Sequence, residues 1–192
     1  MSMKFGAVLL LLLSNVIFLS NLAHSASYHW VNSYISGQTS LANRPQLLAL
    51  PDVFDCGEQE FVEYCVFEVN YRGVDVDIRF VTKDDKVIKS IITAPFTTHA
   101  YSQLQTNLRV DGYQLAEVKM GSLHFNIQEQ VELHGMLTAD QKLIKFLNSA
   151  PIQESKLFTW VRKNEIQNTL ATETLSMTSD GTEIVMLLST AQ

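Results

Sequence analysis

The segment from Cys56 to Val81, CGEQEFVEYCVFEVNYRGVDVDIRFV, limits the fold more than any other part of the chain. Two runs of alternating residues meet at Gly73. In the first, Phe67, Val69 and Tyr71 alternate with Glu68, Asn70 and Arg72; in the second, Val74, Val76, Ile78 and Phe80 alternate with Asp75, Asp77 and Arg79. Successive strand residues point to opposite sides, so each run has one apolar and one polar face. That is the pattern of half-buried strands in an antiparallel sheet. The expected fold is mainly β: an antiparallel β-sandwich or strongly bent sheet of about eight to ten strands, carrying one short helix in the C-terminal half.

The remaining chain supplies further strands. Lys83-Asp84-Asp85-Lys86 reads as a polar turn into a third strand, Val87 to Thr93, which Pro95 ends because proline donates no ladder hydrogen bond. Phe96 to Thr106 lacks clear periodicity and reads as a loop or a short helix. Leu108-Arg109-Val110, Asp111-Gly112 and Tyr113-Gln114-Leu115 form a hairpin signal, with strand character running on to Gly121. Ser122 to Met136 fits either one strand or a hairpin turning at Gln128 to Gln130. Thr138-Ala139-Asp140-Gln141 is a capping box, which predicts the one helix over Ala139 to Ala150, stopped by Pro151. Leu157 to Val161 resumes strand character. Glu173 to Thr178 and Glu183 to Ser189 close the fold as a hairpin around Ser179-Asp180-Gly181. Before the first strand, Tyr28-His29-Trp30 and Tyr34-Ile35 read as an initial strand or a cover on the core, with an aromatic recognition patch as the alternative. Ile35 to Pro51 is a loop-rich connection anchored by Leu47, Leu48 and Leu50.

The first 25 residues have the character of an export signal. Lys4 gives the positive start, Phe5 to Leu22 is apolar with few interruptions, and Ala23-His24-Ser25 offers small residues at the positions a signal peptidase reads. The alternative is an uncleaved anchor, since about 18 mostly apolar residues approach the roughly 20 that span a bilayer. Residues 26–192 then form a single β-rich domain, too short for two comfortable cores. Lys4 is the only formally charged residue of the leader, so the remainder carries 13 basic and 20 acidic side chains, a balance of −7. Such a chain is poorly suited to nucleic acid or to anionic lipid surfaces. It has no second apolar run long enough to cross a membrane.

Export also decides how the cysteines read. In an oxidising compartment Cys56 and Cys65 pair, and closing their ten-residue ring is worth about 2.7 kcal/mol by the chain-entropy relation. The alternative, a redox couple, ordinarily uses a C-x-x-C at a helix start, and the chain has none.

Catalytic signals are sparse. There is no G-x-S-x-G, and the glycines at 57, 73, 112, 121, 135 and 181 stand singly, each suited to a turn rather than to a phosphate loop. Asp75 and Asp77 share a strand face about 6–7 Å apart. Paired carboxylates at that spacing perform acid and base work on glycosides, but alternating charge on a wet sheet face is much the commoner reason for such a pair. In the hairpin register of Ser122 to Met136, His124, Glu132 and His134 would project from one face and suit a zinc ion; in the single-strand register the two histidines stand roughly 33 Å apart. No metal and no cofactor is therefore expected.

The order of features resembles the invasion-associated locus B family of exported bacterial proteins. The likeness rests on a leader, a cysteine pair opening a strand, the string Ile92-Thr93-Ala94-Pro95, and Leu108-Arg109-Val110-Asp111-Gly112 followed by a late helix and closing strands. Members of that family often carry a second cysteine pair past the middle of the domain, which is absent here. The resemblance implies a small β-domain of the bacterial envelope and brings no catalytic residues with it. The expected function is non-enzymatic: a periplasmic or secreted protein-binding or assembly module whose partner is another envelope or secreted protein. The alternatives are an immunity or inhibitor protein against a toxin or lytic enzyme, and a carboxylate- or metal-dependent hydrolase.

Overall fold

The computed structural model describes residues 29–60, 62–163 and 172–189. Residues 1–25, read above as an export signal, and Tyr28 lie outside that range. In chain order the elements are α1 (His29–Ile35), α2 (Arg44–Leu48), β1 (Phe54–Asp55), β2 (Glu63–Tyr71), β3 (Val74–Lys83), β4 (Lys86–Pro95), α3 (Thr98–Val110), β5 (Gln114–Met120), β6 (Leu123–Asn126), α4 (Ile127–His134), α5 (Met136–Leu147), β7 (Lys156–Lys163), β8 (Thr172–Ser179) and β9 (Glu183–Ser189).

The nine strands form one open antiparallel sheet in the order β1-β2-β3-β4-β9-β8-β7-β5-β6. Of the two architectures expected, the single sheet rather than the sandwich is the one found. Strands β1 to β4 are laid down as a meander. The chain then crosses by α3 to the far end, builds β5 and β6, and returns through β7, β8 and β9. Strand β9 docks on β4, from Lys89↔Ser189 to Pro95↔Glu183, so two meanders meet at one seam.

From Val69 to Phe80 the alternation read around Gly73 is the alternation found, while Phe67, before it, departs from the pattern. Arg72 and Gly73 form a two-residue turn with φ of 48° and 91°, the left-handed pair that matches strand twist, and Asn70 Oδ1 accepts the Gly73 N–H at 2.9 Å. On β3, Val74, Val76, Ile78 and Phe80 are buried while Asp75 and Arg79 are exposed. Register then carries burial across the molecule. Val66, Ile78, Ile92, Met186, Met177, Phe158, Val118 and Phe125 are successive cross-strand partners, and all are buried.

Three helices cover this apolar side. Tyr34 of α1 meets the Phe80 ring at 5.5 Å and shares a 2.5 Å hydrogen bond with Ser90. Tyr101 of α3 stands edge-on to Phe158 at 6.1 Å, and Phe146 of α5 meets Phe125 at 5.3 Å. Fully burying a side chain of this size stabilises by about 1.5–3 kcal/mol, and fifteen or more such residues line this layer.

Several expectations are corrected, and others resolve to one of their alternatives. There are five helices among the described residues, not one. The aromatic segment at Trp30 and Tyr34 is helix α1, seated on the core rather than exposed as a patch. Within the loop-rich connection, Asn43 caps the short helix α2, where Leu47 is buried and Leu48 is exposed. The segment after Pro95 is α3, capped by Thr97, whose side chain accepts the Ala100 N–H at 2.9 Å. Asp111-Gly112 is no hairpin turn: it ends α3, with Gly112 at φ 86°, its N–H bonded to the Arg109 carbonyl and the Tyr113 N–H to that of Leu108. These are the two bonds of a Schellman helix stop. Ser122 to Met136 is neither one strand nor a hairpin, because Asn126 accepts the Glu129 N–H at 3.0 Å and turns the chain from β6 into α4. Helix α5 begins at Met136 with Gly135 at its N-cap, so Thr138 lies inside it and the capping box does not form.

Candidate functional site

Helices α1, α3 and α5 cover one side of the sheet, and the candidate site is the other. Along β3, β4, β9, β8 and β7 the outward residues Asp77, Thr93, Val185, Thr178 and Leu157 are cross-strand partners. The neighbouring row is Arg79, Ile91, Leu187, Ser176 and Thr159. All of these are half-buried except exposed Arg79. Val, Ile, Leu, Thr and Ser make a low, smooth surface of mixed aliphatic and hydroxyl character.

At the β2 end this surface becomes a trough. Strand β2 bulges between Val66 and Val69, placing two residues, Phe67 and Glu68, opposite Asp77 alone. The bulge reverses Phe67, which alternation assigns to the buried face and which is 53% exposed. Its ring meets that of Phe54 on β1 edge-on at 5.5 Å. Below this aromatic ridge Cys56 and Cys65 are joined as a disulfide, as the sequence led us to expect. One depression of about 730 Å³ is bordered by Glu68, Asp75, Asp77, Thr93 and Glu183; a second of about 430 Å³, bordered by the disulfide, Phe67, Arg79 and Ile91, shares Asp77, Thr93 and Glu183 with it. The two are parts of one groove.

The hydrogen bonds of the two aspartates are local. Asp77 Oδ1 accepts the Glu68 N–H at 2.8 Å, pinning the bulge, and Asp75 Oδ1 accepts from Asn70 Nδ2 at 2.9 Å beside the turn. Arg79 reaches Glu63 at 3.5 Å. The groove is thus an acidic, partly aromatic edge of the open face, able to accept donors and cations along its length.

The opposite end of the face carries a second charged group. Glu117 on β5 accepts from Lys119 Nζ and from His124 Nε2, each at 2.7 Å. The hydrogen bond from Lys119 holds the Glu117 carboxyl below the ordinary glutamate range, against the opposing effect of burial. His124 therefore sits on the sheet, whereas Glu132 and His134 lie on α4, where Glu132 accepts from Gln128. The turn at Asn126 separates what a hairpin would have joined. Among the described residues no group of three or more His, Cys, Asp or Glu side chains is placed to hold a metal ion.

Phe67, Glu117 and Lys119 are the participants that sequence reasoning passed over. Alternation on β5 marks Glu117 and Lys119 as outward, but their position at the far end of β3's face depends on the return of β7, β8 and β9. Comparison with family models, curated proteins and solved structures finds no match to this chain.

Proposed function

We propose that the chain is an exported, non-enzymatic protein-binding or assembly module that works from the open face of its sheet. One observation carries this reading. Among the described residues, α1, α3 and α5 back one side of the nine-stranded sheet, and the other side presents Ile91, Leu187, Val185 and Leu157 between two charged ends. Contiguous apolar surface with a polar rim is the composition of a protein interface. The cysteine pair fits an oxidising compartment, and the likeness to the invasion-associated locus B family agrees with an envelope location.

Two measurements test it. Fractionation should place the chain outside the cytosol with Lys4 removed; full-length protein in the cytosol would end the export half. A photo-crosslinking amino acid at Leu187 should give a protein adduct in living cells, and the same probe at Ser102, exposed on α3, should give none. No adduct at Leu187 would end the binding half.

A further inference from the structure

We infer that the occupant of the open face is a second copy of this chain, packed face to face about a two-fold axis that runs parallel to the strands between β9 and β8. The inference rests on the reading of that face as an assembly surface and names its partner.

The argument begins with the ladder. One outward row runs Asp77, Thr93, Val185, Thr178, Leu157, Lys119 across β3, β4, β9, β8, β7 and β5. The next row runs Arg79, Ile91, Leu187, Ser176, Thr159, Glu117 over the same six strands. Half a turn about an axis parallel to the strands, midway along each row, lays every row on itself in reverse. Asp77 then faces Lys119 of the second copy, and Arg79 faces Glu117 of the second copy. Both pairs have opposite charge, and the two-fold supplies each pair twice.

Size follows the same rule. Val185 meets Thr178 of the second copy, Leu157 meets Thr93, Leu187 meets Ser176, and Ile91 meets Thr159. Every aliphatic side chain is set against a hydroxyl-bearing one of smaller reach, which is how facing layers interdigitate. A foreign partner demands no such relation between the two ends of one face.

Shape and area agree. Under this rotation a twisted sheet meets a surface of the same twist, so two saddles nest and the sheets pack aligned about 10 Å apart. Six strands at about 4.8 Å spacing and seven residues at about 3.4 Å give about 700 Å² per copy, or about 1,400 Å² in all. Specific complexes bury about 1,200–2,000 Å². The assembly has four layers, helices outside and two sheets within.

The full chain should sediment as a dimer at micromolar concentration. Ser176→Arg, beside the axis, should leave monomer, while circular dichroism shows the sheet intact. Arg79→Glu alone and Glu117→Arg alone should each weaken association at least tenfold, and the double variant should recover most of it. The crosslinker at Leu187 gives a readout that no substitution at the charged ends can confuse: its adduct should have twice the chain mass, with the attachment mapped to β8 of the second copy. An adduct with a different protein would overturn the second-copy inference and leave the protein-binding reading standing; no adduct would end both. A wild-type chain that is monomeric at 100 times micromolar concentration, a dimer indifferent to Ser176→Arg, or a double variant no better than the singles would each overturn the inference.

Discussion

At the scale of single residues, the largest risk in the fold is Arg162. It lies on β7 among the core-facing side chains, nearly fully buried, stacked on the Tyr113 ring with its guanidinium carbon 4.6 Å from the centroid. It donates to the carboxylate of Glu173 on β8 and to the Ser36 carbonyl that follows α1. Gly37 makes room for it, since a Cβ there would meet the guanidinium well inside contact distance and the backbone sits at φ +69°. The same region holds Asp111, almost wholly buried, which accepts from the Tyr71 hydroxyl at 2.7 Å and from Arg72 at 2.5 Å. Burial, reinforced by the Asp111 carboxylate, drives the Tyr71 phenol far above its ordinary range, so it stays a donor at every working pH. Removing one member of a buried ion pair leaves the other charge desolvated and unpaired, a cost of about 3–5 kcal/mol. Arg162→Met should therefore lower the unfolding free energy by about that amount in urea titration, even though methionine fills much of the volume. A loss under 1 kcal/mol would show that Glu173 and Ser36 find water instead.

At the scale of elements, turns decide which readings of the sequence hold. The β8–β9 turn was legible because Asp180-Gly181 follows one alternating run and precedes another, and Asp180 Oδ1 does accept the Thr182 and Glu183 N–H groups and the Thr182 hydroxyl. Those bonds, the Glu183 N–H foremost, lower the Asp180 carboxyl from 3.8 to about 2. A carboxyl lowered by folding adds stability that is full above its unfolded value, about pH 4, and is lost as the pH falls through about 2. The stability difference between wild type and Asp180→Asn should accordingly shrink on going from pH 5 to pH 2; a difference that stays constant over that range would deny the carboxylate its part. Asp111-Gly112 shows the opposite outcome from nearly the same letters. Glycine at positive φ serves a hairpin and a Schellman stop equally, and only the preceding residues distinguish them. Here Leu104 and Leu108 sit four apart on one side of α3, a spacing that the polar residues between them obscured. Phe67 was misread for a related reason: strict alternation assumes no bulge, and the Asp77 side chain that holds the bulge lies on the neighbouring strand. The Cys56–Cys65 bridge, β3, β4 and the closing hairpin were legible because their signals are local; the open face was not, because its two ends are joined only through strands late in the chain.

At the scale of the whole molecule, the seam between β4 and β9 determines how the sheet comes apart. Strands β1 to β4 fold with near neighbours in sequence, and β7 to β9 do the same, but β4 and β9 are about ninety residues apart along the chain, and all of β9 pairs with Lys89 to Pro95 of β4. Both strands of the seam lie in the middle of the sheet: Ile92, Ala94, Ile184, Met186 and Leu188 are buried under the helices, and ladder partners continue outward on each side. The far end is different. Helix α4 buries none of its residues, α5 buries only Ala139, and Leu133, Met136, Leu137 and Ile144 are each more than half exposed. Strand β6 has four residues and, among the described residues, no partner beyond β5. Regions with few buried contacts open at lower free energy than the core, so amide exchange should rank them. Native-state hydrogen exchange is expected to show the slowest amides in β3, β4 and β9, protected to the global unfolding free energy. Those of α4, α5 and β6 should exchange together through a smaller opening that leaves the seam intact. If the amides of α5 were as slow as those of β9, the two-meander sheet and its helical end would form one cooperative unit, and the seam would have no special standing.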